Sequence, residues 1–446
     1  MHITLKRFTF TLLAVFAARA NADAPADGAH TTPAEQALIQ WLLDSGGQVN
    51  VQIHRDSSGV RGLSAAAATA AGSVLVRVPL SSAITLGEAN DTAPELAIRL
   101  LRERHRSRPR YGPYFAVLPP APGSEGWAPS CGEELPAAAV EALAGPGLRE
   151  LLAAKRSWLR AVCSGAAPGL PLPLARAVPR AHVSEEEFAW ATCMVSSRSI
   201  SGPGGAMLAI PLIDLANHCG SRARRQPDTL RFRRLTAGEA GAEGAEAGAK
   251  GVGAGDMVLE LVAGADLQPG EEVCISYGQL APDEALLYYG FLEGAGAQAA
   301  TETETGTCAW QQPPPLCAVD EAGYDPGARP GKVRYERLEA AAAAVDLAAE
   351  AARLESRLAA VAAEAEAVRA GPAAGCPESP QAVRGGVDAR AEAPDPALCL
   401  VSALNGLREA GLRAELARVR ALAAGVKAPS GCRGQGEGPG GLEAAV

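Results

Sequence analysis

The sequence predicts an α+β fold in which two sets of short β-strands flank a long helical insert and an all-helical region follows. Short segments bounded by glycine or proline lie on both sides of residues 93–187, where apolar residues recur at helical spacing. Residues 332–426 are rich in alanine, glutamate and arginine, which favour helix. This order differs from the strand–helix alternation of a doubly wound sheet, and no G-x-G-x-x-G motif opens a helix after a strand, so that fold is not predicted.

The first elements of the folded region are a helix and two short strands. Thr32, Pro33 and Glu35 have the pattern of an N-cap, a first-turn proline and an acidic N3 residue, which predicts a helix start. Apolar residues alternate over 49–53, and a valine-rich run over 74–79 ends in proline. Both segments are predicted to be strands.

The helical insert is predicted over about residues 93–187, and strand character returns at 207–213 and 273–277. A helix over 185–197 closes the insert. Residues 235–255 form an alanine-, glycine- and glutamate-rich insert of low complexity between two extended segments. This composition predicts a flexible hairpin tip.

The C-terminal part divides into a linker, a helical domain and a tail. Residues 293–331 are rich in proline, threonine and glycine, which predicts a linker after a first domain at 32–292. A helical domain is predicted over 332–426, interrupted by a second proline-rich linker at 372–396. The last residues, 427–446, are predicted to be a disordered tail.

The N-terminus resembles a targeting segment. Lys6 and Arg7 precede an apolar run at residues 8–18, and Ala20-Asn21-Ala22 matches an A-x-A cleavage site. The apolar run is too short to span a bilayer. Residues 1–22 are therefore predicted to direct the chain to the secretory pathway, with a plastid or mitochondrial transit segment as the alternative. No membrane association is expected after processing.

The charge and the cysteines limit the possible partners. The formal net charge is −9, which disfavours a general nucleic-acid-binding role. Ten cysteines without any C-x-x-C spacing exclude a zinc ribbon, are too sparse for a disulfide scaffold and are expected to be mostly buried thiols. No metal site is predicted. One arginine-rich stretch is predicted to be a solvated hairpin, with a docking patch for an acidic partner as the alternative: Arg222, Arg224, Arg225, Arg231, Arg233 and Arg234.

Two segments combine glycine or polar residues with a strand. Gly59-Val60-Arg61-Gly62 forms a glycine-bounded turn before a strand, and glycine lets a backbone approach a ligand closely. An apolar run ends in Asp214, Asn217 and His218, whose donors and acceptors suit an adenosine-type ligand. A network that caps the strand end is the alternative.

Three aromatic residues follow the last predicted strand. Tyr277 stands in a turn at the end of the strand, and a helix then leads to Tyr289 and Phe291. Each ring alone would be interpreted as part of the core. The order of all these segments along the chain is what indicates a common site.

Taken in order, the segments resemble the SET-domain proteins related to the Rubisco large-subunit lysine methyltransferase. The likeness covers about residues 35–292, and the helical insert and the helical C-terminal domain are also that family's layout. An Asn-His-Cys motif followed by Glu-Glu-Val-x-Ile-x-Tyr-Gly is highly specific when both occur in this order. The matching motifs are Arg61-Gly62-Leu63, Tyr114 to Pro119, Val195 to Arg198, Asp214 to Cys219, Gly270 to Gly278 and Tyr289-Gly290-Phe291.

The resemblance implies S-adenosylmethionine as the cofactor and a lysine of a protein as the substrate. It implies that the backbone of Gly59, Val60, Arg61 and Gly62 lines the cofactor. The methionine and adenine portions are then held by Arg198, Asn217 and His218.

The resemblance also implies a catalytic tyrosine and a lysine channel. Tyr277 is the implied catalytic residue, beside the transferred methyl group and in contact with the cofactor. Asp214, through its main-chain carbonyl, and Tyr289 and Phe291, through their rings, are implied to line the channel. Members that modify histones have a zinc-binding cysteine cluster after the domain; its absence from this sequence fits the non-histone branch. The chain is expected to be a monomer.

Three other functions stay open at this point, and the sequence departs from the family pattern in two places. Histidine methylation, a SET-fold binding module without activity, and a secreted interaction protein are the alternatives. The 235–255 insert is not part of the family pattern. Near Thr229 there is no tyrosine where some relatives place another aromatic of the channel.

Overall fold

The computed structural model describes residues 31–292, 347–374, 376 and 395–423. Gaps within the first range fall at 57–58, 125–126, 128–129, 145, 165, 167–182, 220–225, 237–254, 279 and 281. The predictions for residues 1–22, 293–331 and 427–446, and for most of the low-complexity insert, lie outside the described residues.

The helices confirm the predicted α+β order. Thr32 and Glu35 form a capping box, since the Glu35 amide donates to Thr32 Oγ1 at 3.3 Å and the Thr32 amide donates to Glu35 Oε2 at 2.8 Å. No helix among the described residues is long and apolar enough to cross a membrane. The helices are α1 (Pro33–Asp44), α2 (Ala93–Arg104), α3 (Gly112–Phe115), α4 (Ala137–Glu141), α5 (Pro146–Ser164), α6 (Glu185–Arg198), α7 (Pro282–Tyr289), α8 (Leu347–Ala370) and α9 (Pro396–Ala423).

The described strands form three small sheets. Their orders are β1-β4-β10-β9, β2-β3-β11-β8 and β5-β7-β6, and the β8–β11 pair is parallel whereas the other named pairs are antiparallel. The strands are β1 (Gln48–Val49), β2 (Val51–Arg55), β3 (Arg61–Ala65), β4 (Val74–Pro79), β5 (Ile84–Glu88), β6 (Ser199–Ser201), β7 (Ala206–Ala209), β8 (Asn217–His218), β9 (Thr229–Arg234), β10 (Met257–Val262) and β11 (Glu272–Ile275).

Two predicted strands differ from the observed ones. The segment at 49–53 divides at Asn50, because β1 pairs with β4 while β2 pairs with β3 in another sheet. The strand predicted at 207–213 ends at Ala209, and the chain then turns through Leu212, which has a φ of 71°. This turn redirects the chain before it reaches the polar residues of β8.

The C-terminal helices pack against the first domain. Val401 and Leu404 of α9 are buried in an apolar cluster with Leu286 and Leu287 of α7. Asn405, only 1% exposed, accepts a hydrogen bond from the Ala144 amide and donates one to the Ala142 carbonyl, both at 2.8 Å. Since both polar atoms of this buried amide are satisfied, it fixes α9 against the helical insert.

The expectation of mostly buried thiols was wrong for six of the cysteines. Among the described residues there are three disulfides, Cys131–Cys193, Cys219–Cys274 and Cys376–Cys399, and Cys163 is free. The partners are 62, 55 and 23 residues apart in sequence. Local spacing cannot reveal such pairs, because their proximity comes from tertiary structure.

The described arginines of the basic stretch lie on β9 of the β9–β10 hairpin, but they are not all solvated as predicted. Two of them, Arg231 and Arg233, bind the buried Glu260, whose carboxylate also accepts a hydrogen bond from Arg77 of β4. Burial favours the neutral acid, but the hydrogen bonds from the three arginines outweigh it and lower the pKa of Glu260 to about 2. The hairpin is therefore fixed to the sheet by a buried carboxylate.

Glu260→Gln is expected to lower the free energy of unfolding by about 1–3 kcal/mol near pH 7, since three charged donors lose their carboxylate. A depressed folded-state pKa stabilises the protein above the unfolded value of 4.5, and this stability is lost as the pH falls through about 2. The difference between variant and wild type should therefore shrink between those pH values in urea titrations. Glu141→Gln, at an exposed position of α4, is the control. A deficit independent of pH would contradict this account.

Candidate functional site

The glycine turn and the Asn-His segment meet at the edge of the second sheet. The side-chain amide of Asn217 donates to the Arg61 carbonyl at 3.2 Å and to Glu272 Oε1 at 3.3 Å. A Cβ on Gly62 would lie 2.6 Å from Asn217 Nδ2, so any larger residue would displace this amide. Gly59 has a φ of 78°, and the Val60 amide donates to Asp56 Oδ1, so both belong to a closed turn before β3.

His218 has a defined tautomer. Its Nδ1 accepts a hydrogen bond from the Tyr277 amide at 3.1 Å, so the neutral ring has its proton on Nε2. The parallel pairing of Ile275 with His218 brings the two segments side by side. The His218 ring thus lies in a fixed orientation next to the amide of Asn217.

Four rings form an aromatic cluster, defined as His218, Tyr277, Tyr289 and Phe291. Tyr277 stacks on Tyr289 with centroids 4.9 Å apart and on His218 at 5.3 Å. Phe291 lies 6.0 Å from His218 and 6.1 Å from Tyr289. The aromatic cluster provides an apolar surface with polarisable ring faces, which suits an alkyl chain ending in an amine.

Gly290 allows both of its neighbours to join the aromatic cluster. Helix α7 ends at Tyr289, and Gly290 adopts a φ of 68°, which turns the chain between Tyr289 and Phe291. A Cβ at this position would lie 2.4 Å from the Ser130 carbonyl oxygen. The glycine is therefore required both by its backbone conformation and by its close approach to Ser130.

Tyr277 is a neutral hydrogen-bond donor in this site. Its hydroxyl donates to the Ala216 carbonyl at 2.7 Å. Burial raises the pKa of Tyr277 to about 12, although the nearby Arg198 opposes the shift. The phenol stays protonated at neutral pH and is a poor general base.

A buried network lies behind the aromatic cluster. The Asp214 carboxylate has no exposed surface and accepts a hydrogen bond from the Tyr114 hydroxyl at 2.8 Å. Arg198 donates from Nη1 to the Asp214 carbonyl at 2.8 Å, and the same atom lies 3.5 Å from Asp214 Oδ2. Burial raises the pKa of the Asp214 carboxyl, while Arg198, Tyr114 and Arg61 oppose the rise.

The structure brings most of the predicted site residues together and adds two features. Asn217 binds the backbone of Arg61, and its neighbour His218 is joined to Tyr277, Tyr289 and Phe291 by a hydrogen bond and ring contacts. A further hydrogen bond connects Arg198 to Asp214. The contact of Tyr114 with Asp214 was missed, because the two residues are 100 positions apart. The Cys219–Cys274 disulfide directly after His218 was missed as well. Thr229 is exposed and contributes no ring.

The residues present fit an adenosine ligand with a carboxylate. Asn217 and His218 place polar groups suited to a heterocycle at one edge of the sheet, and a Cβ on Gly59 would meet nothing within 4 Å, so the turn before β3 leaves backbone open to a ligand there. The buried Nε of Arg198 has no hydrogen-bond partner in the described part of the chain, which fits an anionic group. The described residues include no cluster of His, Cys, Asp or Glu arranged to hold a metal ion.

Solved structures share this fold, although no protein-family model and no curated protein matches the chain. The SET domain of LSMT bound to lysine and AdoHcy aligns with a TM-score of 0.52 and 18% identity, over 89% of this chain and 92% of that chain. The same domain bound to methyllysine and AdoHcy aligns with a TM-score of 0.51 and 17% identity, over 89% of this chain and 94% of that chain. Rubisco LSMT bound to AdoMet aligns with a TM-score of 0.50 and 17% identity, again over 89% of this chain and 94% of that chain. At this identity the comparison establishes the SET-domain fold.

Gly290→Ala is expected to destabilise the protein by at least about 1–2 kcal/mol, the cost of the left-handed conformation, with a further cost from the contact with Ser130. Gly406→Ala is the matched control, because a Cβ there meets nothing within 4 Å and alanine favours the helix. Urea unfolding of both variants checks the difference. Equal stability of the two variants would show that Gly290 does not constrain the aromatic cluster.

Proposed function

We propose that this SET-domain chain transfers the methyl group of S-adenosylmethionine to a lysine side chain of a non-histone protein. The observation that supports this most directly is the aromatic cluster beside Asn217 and Gly62. We assign its apolar ring surface to an alkylamine, and the adjoining polar residues Asn217 and His218, named here the polar pocket, to an adenosine. The SET-domain structures that share the fold contain lysine and AdoHcy, which agrees with this pairing of ligands.

The proposed cofactor contacts follow from the donors that the site offers. Asn217 and His218 are assigned to the heterocycle, and because both N–H groups of the Asn217 amide already donate within the chain, Asn217 would contribute its side-chain oxygen. The backbone of Gly59, Val60, Arg61 and Gly62 is assigned to the cofactor as well. Arg198 is assigned to the carboxylate of the methionine portion, since its buried Nε lacks a partner in the described residues. When bound, the cofactor supplies an electrophilic methyl group on a sulfonium.

The proposed acceptor must be a neutral amine. A lysine with its ordinary pKa of about 10.4 is almost fully protonated at pH 7. The apolar rings of Tyr289 and Phe291 desolvate the ammonium, and the adjacent sulfonium repels it, so both favour the free base. A neutral amine held against Tyr289 and Phe291 would then attack the methyl carbon as the carbon–sulfur bond breaks, which would give AdoHcy and a methylated ammonium that loses its proton to water. Alignment by the channel supplies most of the acceleration.

Tyr277 is assigned an orienting role rather than a proton transfer. Its hydroxyl is held by the Ala216 carbonyl, and its pKa of about 12 keeps it neutral. The phenol oxygen is thereby fixed beside the site, where its lone pairs face the developing positive charge around the methyl group. This contribution is electrostatic and is present before the reaction begins.

The disulfides favour the secretory pathway over a plastid for this chain. Stable disulfides form in oxidising compartments, and Cys131–Cys193 and Cys219–Cys274 both lie within the first domain. We further propose that the chain acts as a monomer and that α8 and α9 contribute to binding of the protein substrate. Mapping the mature N-terminus and the compartment tests the location.

The chain is expected to bind S-adenosylmethionine and AdoHcy with micromolar affinity in the presence of a metal chelator. Calorimetry with protein lacking residues 1–22 measures this directly. Asn217→Ala should weaken binding by about 1–3 kcal/mol, since a polar contact to the ligand is lost. Absence of binding by folded wild-type protein at high micromolar concentration would rule out the proposed cofactor.

Tyr277→Phe should reduce methyl-transfer turnover by about 10- to 1000-fold, the scale for one well-placed polar group. Cofactor affinity should change much less, because Arg198 and Asn217 supply the ground-state contacts. Tyr288→Phe is the matched control, because Lys155 Nζ lies over the ring of Tyr288, which is outside the aromatic cluster. This variant should keep the wild-type turnover. Wild-type turnover in Tyr277→Phe would show that the Tyr277 hydroxyl has no role in the reaction and that the ring only packs. Loss of cofactor binding would make it a binding residue.

A further inference from the structure

The helical insert supplies one buried hydroxyl to the site. Tyr114 belongs to the short helix α3 and is 1% exposed, and its hydroxyl donates to Asp214 Oδ2 at 2.8 Å. Asp214 precedes Ala216, which accepts the hydroxyl of Tyr277, and Asn217 of the polar pocket. A residue of the insert thus contacts the segment that positions both halves of the site.

We infer that Tyr114 is a positioning residue, which orients Arg198 through Asp214 toward the carboxylate of the bound cofactor. This inference rests on the proposed function, because it assigns a role within the same cofactor site. Tyr114 touches neither the cofactor nor the reacting atoms. Its effect passes through one carboxylate and one guanidinium.

The Asp214 carboxylate depends on few partners. Oδ2 accepts from Tyr114 at 2.8 Å and has only a longer contact of 3.5 Å with Arg198. Oδ1 is buried without a hydrogen-bond partner among the described residues. A buried carboxylate that loses a donor must find another. In the absence of the Tyr114 hydroxyl, the nearest available donors belong to the Arg198 guanidinium.

The orientation of Arg198 determines which of its donors face a ligand. Nη1 is bonded to the Asp214 carbonyl at 2.8 Å, while the buried Nε has no partner in the described part of the chain. A guanidinium is rigid and planar, so a rotation that satisfies Asp214 also moves Nε. The Tyr114 hydroxyl therefore keeps Arg198 available for an anionic group.

Charge supports the same role. Arg61 lies near both Arg198 and Asp214, and its own side chain donates to the Val117 carbonyl. Arg61 also lies 3.9 Å from the buried Glu35, which binds Arg55, so two buried carboxylates lie among three guanidinium groups and leave an excess of one positive charge at this end of the site. A ligand carboxylate neutralises that excess, whereas an adenosine without a carboxylate gains nothing from it.

The test compares two ligands that differ at the amino-acid end. AdoHcy has the carboxylate, and 5′-methylthioadenosine has the adenosine and the thioether but no carboxylate. Tyr114→Phe should weaken the binding of AdoHcy about tenfold, which is the scale of a hydrogen bond to a charged group. The affinity for methylthioadenosine should stay unchanged. Calorimetric titration of full-length protein with each ligand gives both affinities.

Tyr111→Phe is the matched control for lost packing and hydrogen bonding. Tyr111 precedes α3 and is also buried, but its hydroxyl donates to the Ala83 carbonyl at 3.1 Å, outside the network of Asp214. Tyr111→Phe should leave both ligand affinities as in the wild type. The inference is overturned if Tyr114→Phe lowers the affinity for both ligands equally, or if it leaves the affinity for AdoHcy unchanged.

A second variant tests the path through Asp214. Asp214→Asn keeps the shape of the side chain and removes its charge, so the side chain no longer competes for the Arg198 guanidinium when the Tyr114 hydroxyl is absent. Adding Tyr114→Phe to Asp214→Asn should therefore cause no loss of AdoHcy affinity, whereas Tyr114→Phe alone causes a loss of about tenfold. The same loss in both backgrounds contradicts the inference. If wild-type protein fails to bind AdoHcy, the proposed function itself is wrong, which distinguishes the two failures.

Discussion

The parallel pairing of β8 with β11 is the constraint on which the site depends. It aligns Asn217 with Cys274 and His218 with Ile275, so the two residues of the polar pocket lie directly beside the strand that leads to Tyr277. The Tyr277 amide then fixes the His218 ring, and the Tyr277 hydroxyl returns to Ala216. The Cys219–Cys274 disulfide covalently joins the same two strands. A slip by one residue would move Asn217 and His218 out of register with the strand that leads to Tyr277.

The buried acid Asp214 is central to the electrostatics of the site. Asp214 is placed between Arg198, Arg61 and the hydroxyl of Tyr114, and the hydroxyl comes from an insert that is distant in sequence. The insert is thus part of the site and does more than cover the core. The C-terminal helix α9 supports the aromatic cluster in a comparable way, since it packs on α7, which ends at Tyr289.

The sequence predicts the fold class and most of the site residues because their signals are local. The capping box at Thr32 and the glycine turn before β3 are determined by near neighbours, and Asn217, His218 and Tyr277 stand in ordered motifs. The disulfides, the Tyr114–Asp214 contact and the binding of Asn405 to the helical insert join residues far apart in sequence. Nothing in their local pattern distinguishes them from ordinary buried residues, so only the tertiary structure identifies them.

The central claim is that the aromatic cluster and the polar pocket together transfer a methyl group to lysine. The most direct measurement incubates the full chain with methyl-labelled S-adenosylmethionine and a mixture of candidate proteins, followed by amino-acid analysis of the labelled acceptor after acid hydrolysis. The account predicts label in methylated lysine, and none when the protein is heat-denatured beforehand. Label in methylhistidine would contradict lysine as the acceptor. Absence of label from protein that binds AdoHcy would support a binding module without activity.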